Sequence, residues 1–234
     1  FLCIIRIQEV IMYFFFYYEP LIALIGHLES NQSYEAVRQA LRQVNRTYKD
    51  DLEESCTMVQ SNEFHGLLKC GSNLMNLMGS IEEAAYPHKI YWGIGIGKSK
   101  KNTNPAASWE AQSRAFQNAQ AAADFLVRQN ERKASFSADY RIVCDGDHEE
   151  VTQLLNTVLI LLTSMKRRWT KHQYAVVADY RKHGGGQTKA AARLGIAQSS
   201  VQKSLAGADY YAYQEVMDTL NAVFSQIGEG VRGI

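Results

Sequence analysis

Between Gln187 and Leu205 the chain reads QTKAAARLGIAQSSVQKSL. Five side chains in it, Gln198, Ser199, Ser200, Gln202 and Lys203, carry the amide, hydroxyl and ammonium groups that bind base edges and phosphates. A glutamine amide offers adenine one acceptor and one donor, and a lysine meets phosphate as a point charge. The chemistry implied is noncovalent recognition of double-stranded DNA. Those groups must lie on the outer side of a helix that crosses a partner at a tight turn. Ala191 is small enough for close packing and Gly195 suits the turn, while Leu194, Ile196, Val201 and Leu205 can share a core. The spacing therefore predicts a helix-turn-helix over 187–205.

Charge points the same way. From Lys166 to Lys203 nine lysines and arginines (positions 166, 167, 168, 171, 181, 182, 189, 193 and 203) stand against one acid, Asp179, a local charge of +8 in a chain of net +1. The remaining residues thus carry −7, so the near-neutral total hides a basic C-terminal part suited to a phosphate backbone. Lys166, Arg167, Arg168, Arg181 and Lys182 are the candidate backbone contacts.

Other chemistry is sparse. Cys3, Cys56, Cys70 and Cys144 are scattered, and no Cys or His spacing suits zinc, so a reducing cytoplasm is expected rather than a disulfide framework. GIGIGK at 93–98 lacks both the four-residue gap and the closing Ser or Thr of a phosphate loop. The histidines form no local catalytic signature. No catalytic residue, metal site or cofactor is assigned.

The elements that hold these groups follow from hydrophobic period and turn chemistry. With 234 residues, 46% apolar and 21% charged, the chain can bury a core of one large or two small domains. PLIALIG at 20–26 reads as a buried central strand, and Ser33 as the cap of a helix whose Val37, Ala40, Leu41 and Val44 recur at helical spacing. Cys56–Gln60 and Phe64–Lys69 flank the polar turn Ser61-Asn62-Glu63 as a hairpin, and Ser72–Ala84 follows as a helix. In KIYWGIGIG at 89–97 one strand face is apolar and the other nearly bare, so something must pack closely on the glycines. A polar, cationic loop (98–105), an alanine-rich helix (107–132) and a strand (140–144) complete a sheet with helices on one face. Trp92 and Trp109 are read as core.

Composition changes at Asp145-Gly146-Asp147. Beyond it Glu149–Arg168 is a helix with acids at its start and bases at its end, and Thr170 caps the next, Lys171–His183. A last amphipathic helix carries Tyr213, Val216, Met217, Leu220, Val223, Phe224 and Ile227, a stripe that can serve as core or pair two copies in a homodimer. Residues 1–19 form an apolar extension, and Arg6, Gln8, Glu9, Glu19 and the following Pro20 interrupt the apolar N-terminus, leaving it short of the about 18 clean residues a span needs, so no stable membrane insertion is expected. Gln8-Glu9-Val10 can be encoded by a purine-rich ribosome-binding site, which makes Met12 the expected start and 1–11 a leader.

Four anchors, ALIGHLESNQ (23–32), NEFHGLL (62–68), KIYWGIGIG (89–97) and Trp169-Thr170 with LGIAQSSVQKSL (194–205), together resemble the SatD family of bacterial proteins from about Leu21 to the final helix. The N-terminal part of that family is similar to the palm domain of nucleotidyl and GGDEF-type cyclases. The resemblance implies an α+β fold: a ferredoxin-like antiparallel sheet over 20–146, then an all-α domain over 149–230 that carries the helix-turn-helix. In those cyclases an aspartate after the first strand and an acidic hairpin turn hold divalent metal and a nucleoside triphosphate. Here His27 stands at the first position and Ser61-Asn62-Glu63-Phe64 at the second. Losing about two carboxylate charges argues against metal-dependent turnover. His27, Asn62, Glu63 and His65 remain as a candidate pocket that senses a nucleotide.

The function expected is a cytoplasmic DNA-binding transcriptional regulator with a catalytically degenerate cyclase-like N-terminal domain. Its expected partners are double-stranded DNA, a nucleotide ligand and a second copy of the chain. The alternatives are a nucleotide-binding or nucleotide-processing enzyme that uses Glu63 and an atypical metal site, and a protein-interaction module.

Overall fold

The computed structural model describes residues 16, 18–98, 113–131 and 138–229. Expectations for the leader and Met12, for the loop beyond Lys98, for Trp109 and for the first residues of the alanine-rich helix lie outside them.

A five-stranded sheet is built around β1 (Pro20–Leu28), whose apolar run is buried on both faces. The hairpin β2 (Leu52–Gln60) and β3 (Glu63–Leu68) pairs on one side of it, and β4 (Ile90–Lys98) and β5 (Tyr140–Cys144) continue on the other, in the order β2-β3-β1-β4-β5. β1 is antiparallel to both neighbours, placing Ile25 beside His65 and Gly93. β4 and β5 run parallel. The sheet is therefore mixed, where an antiparallel one was expected.

The physical reason is a crossover. Two consecutive parallel strands need an intervening segment long enough to return along the sheet. Here that segment includes α3 (Arg114–Glu131), which packs on β4, β1 and β5. It takes the glycine face of β4: a Cβ at Gly95 would collide with the Ala115 carbonyl and the Ala119 amide, and one at Gly93 with the Ala119 carbonyl. Ala115, Ala119 and Ala123 are buried there with Ala23, Ile25 and Leu67. The bare face is thus filled by a backbone-close alanine helix, and the helices occupy both faces of the sheet instead of one.

The opposite face carries Ile22, Leu24, Phe64, Trp92, Ile94 and Ile96. Over it lie α1 (Tyr34–Thr47), α2 (Leu74–Ala85), α4 (Glu149–Arg167) and α8 (Tyr210–Glu229). The entry to α1 is fixed by Ser30, whose Oγ accepts from the Gln32 amide, while the expected cap Ser33 donates its hydroxyl to the Ser30 carbonyl. Three shorter helices, α5 (Lys171–Lys182), α6 (Gln187–Leu194) and α7 (Gln198–Gly207), pack on one another, and α7 also packs on α8. A single hydrophobic cluster runs from Ile22 and Trp92 through Leu159 and Val177 to Val201 and Phe224, so Asp145-Gly146-Asp147 marks a change of composition without a break in the core.

Candidate nucleic-acid interface

Thr170 starts α5 with a reciprocal cap: its hydroxyl accepts from the Gln173 amide and the Gln173 side chain accepts from the Thr170 amide. After the three glycines at 184–186, α6 runs for two turns and stops at Gly195, which is left-handed at φ 65° and ψ 33°. A Cβ there would touch nothing within 4 Å, so conformation and not space demands glycine. Ala191, 8% exposed, lets α7 approach, and Val201 and Leu205 are buried beneath it with Leu194 and Ile196 partly buried alongside.

That packing decides what α7 presents. With Val201, Ser204 and Leu205 inward, Gln198, Ser199, Gln202 and Lys203 are exposed and Ser200 is half-buried. The structure thus brings the five expected reader residues to one exposed helix.

The basic residues divide. Lys166 donates to Glu82 Oε2 and to the Tyr140 hydroxyl at 2.5 and 2.6 Å, and Glu82 Oε1 accepts from Tyr140 and from Trp92 Nε1. Burial opposes the Lys166 charge, but Glu82 outweighs it and the ammonium's pKa lies above the usual lysine range. Arg167 pairs with Asp139 at 2.6 Å and Arg181 with Glu83 at 2.6 Å, Arg181 also donating to Tyr213. Lys166, Arg167 and Arg181 thus each neutralise a carboxylate of this chain. Arg193 is likewise bidentate to Asp179 and ties α6 to α5.

Arg168, 4.0 Å from Asp209, is exposed together with Lys182 and Lys203, and Arg167 is exposed as well while paired with Asp139. Lys171 and Lys189, counted in the charge run but not named as contacts, join them as exposed lysines without an ion pair among the described residues. The end of α7 is pinned by Trp169, whose indole donates to the Ala208 carbonyl at 2.8 Å and stands edge-on to Tyr213 at 5.0 Å.

His27 and Glu63 are register partners at the ends of β1 and β3. Glu63 Oε1 lies 2.8 Å from His65 Nε2 and Oε2 lies 3.8 Å from His27 Nδ1, while His27 Nε2 meets the Asn62 amide at 3.1 Å. The imidazoles of His27 and then His65 hold the Glu63 carboxyl down to about 2 against the desolvation that raises it. The four expected pocket residues thus form one chain of contacts. His27 and Asn62 line a cleft of about 330 Å³ with Glu29, Asn31 and Tyr91, whereas Glu63 and the buried His65 lie behind it. Among the described residues no group of three or more His, Cys, Asp and Glu is placed to hold a metal ion.

A family model, the SatD family, matches residues 21–220, from the first residues of β1 to the middle of α8. The chain belongs to the SatD family. No curated protein and no solved structure matches it. In this SatD chain the final stripe of Tyr213, Met217, Leu220, Phe224 and Ile227 is buried against its own α2, β1 and α4. No helix among the described residues is long and apolar enough to cross a membrane.

Proposed function

We propose that this SatD-family chain is a DNA-binding transcriptional regulator in which α6 and α7 form the helix-turn-helix. The observation that carries the reading is the left-handed Gly195 turn, with Val201 and Leu205 buried and Gln198, Ser199, Gln202 and Lys203 left outward on α7. Arg168, Lys171, Lys182, Lys189 and Lys203 supply the cations for phosphates. The strand order β2-β3-β1-β4 with α1 and α2 over one face supports a palm-like, ferredoxin-like N-terminal layer. The His27–Asn62 cleft in that layer favours a nucleotide sensor over an enzyme, since Glu29 in its lining is paired with Lys89 and the neighbouring Glu63 is engaged by two histidines.

The test is fluorescence anisotropy of labelled duplex DNA from the gene's own upstream region against a scrambled duplex. Neutralising five phosphates predicts an affinity loss of about 500-fold between 50 and 200 mM salt. Gln202→Ala is expected to cut sequence preference by about 1–3 kcal/mol, and Lys203→Ala to weaken binding to both duplexes alike. Equal loss on both duplexes for both variants would refute the assignment of Gln202 to a base edge. No binding at low salt would refute the regulator itself.

A further inference from the structure

A second cleft, of about 400 Å³, opens where α2 and the segment after it face the α4–α5 turn. One wall holds Glu82, Tyr86 and Lys89, and the other Lys166, Arg167 and Trp169, so it lies between the sheet layer and the helices that lead into α7. Its volume is that of a small-molecule site. Tyr86 stacks face to face on Tyr174 of α5 at 3.8 Å and 11°, yet stays 37% exposed, and Trp169 stands 6.4 Å from Tyr174. Ring faces are therefore available to a planar group.

The charge of that group follows from which hydrogen-bonding capacity is already used. Glu82 takes Trp92, Tyr140 and Lys166, and Asp139, also in the wall, takes Arg167. Donors are left over. Lys166 has three N–H groups and uses two. Lys89 is 43% exposed, with Glu29 at 3.5 Å, and the His88 side chain has no partner among the described residues. With Glu82 matched by Lys166 and Asp139 by Arg167, Lys89 leaves the lining with one positive charge in excess, which favours an anionic ligand over a cationic one.

We propose that this cleft binds a small planar aromatic anion and that its occupancy is felt at α7. The path is short: Trp169 in the wall holds the Ala208 carbonyl at the end of α7, and Tyr174 lies on α5, which packs on α7. The coupling rests on reading α7 as the DNA-facing helix; the binding does not.

Calorimetry on the full chain with two probes, salicylate and adenosine monophosphate, separates a carboxylate source from a phosphate source. Saturable binding of at least one probe is expected, weakened tenfold or more in the Tyr86→Ala/Lys89→Gln double variant, whose changes are both at exposed positions. The same probe is expected to shift DNA affinity threefold or more in the parent chain and not in the variant. No saturable binding of either probe, or equal binding by the variant, overturns the site whatever DNA does. Probe binding that depends on Tyr86 and Lys89 in a chain that binds no DNA establishes the site and overturns the coupling with the regulator reading.

Discussion

Glu63 is the residue whose behaviour the structure predicts most directly. Its carboxyl is held at about 2 by His27 and His65, below the 4.5 of an unperturbed glutamate, so the folded state favours the ionised form. The resulting stability is fully present above pH 4.5 and is lost as pH falls from there toward 2. Glu63→Gln, which carries no charge to lose, is expected to melt below the parent chain at pH 6 and to close that gap between pH 4.5 and 2.5. A gap that stays constant over that range in thermal melts would show that the two histidines do not hold the ionised carboxylate. The chain of contacts from Asn62 to His65 was legible because a hairpin and a neighbouring strand end place those positions together. The fates of Lys166, Arg167 and Arg181 were not. Their partners Glu82, Asp139 and Glu83 lie 84, 28 and 98 residues away, and a run of cations read along the chain shows none of them.

Among the elements, those with a strong local period were legible nearly to their ends: Tyr140–Cys144 as a strand, Glu149–Arg167 as a helix, and Thr170 as the cap of α5. What period could not show was the direction of β5. Parallel or antiparallel pairing depends on where a connection travels, and the glycines of β4, read as a bare face, were the local trace of α3 crossing there. Gly95→Ala is therefore expected to destabilise the chain by more than 1 kcal/mol, because the added methyl meets backbone atoms of α3 that cannot rotate away. Gly195→Ala meets no such atoms, and its cost is the left-handed strain alone, about 1 kcal/mol. Thr170→Ala removes one side of the capping box and is expected to cost about 1 kcal/mol. Urea unfolding of the three variants ranks them; Gly95→Ala falling level with Thr170→Ala would mean that α3 sits further from β4 than its alanines indicate.

For the whole molecule, two adjacent glutamates of α2 act as one joint. Glu82 reaches back to Trp92 and Tyr140 in the sheet and out to Lys166 on α4, and Glu83 reaches Arg181 on α5. The helices that carry α6 and α7 are thereby bonded to the sheet layer through polar groups as well as through the shared apolar cluster. Two consequences follow. Unfolding is expected to be one cooperative transition, with far-ultraviolet circular dichroism and tryptophan fluorescence coincident, because Trp92 lies in the sheet core and Trp169 at the helical end. Removing one partner of the Glu82–Lys166 pair is expected to cost about 3 kcal/mol, since a mostly buried charge loses its counterion. Glu82→Gln with Lys166→Met together is expected to recover most of that loss, because neither charge then remains uncompensated. If each single variant instead costs under 1 kcal/mol, the pair contributes little and the apolar cluster alone holds the layers together, whereas a transition that splits in two would mean that neither the pair nor the cluster couples them.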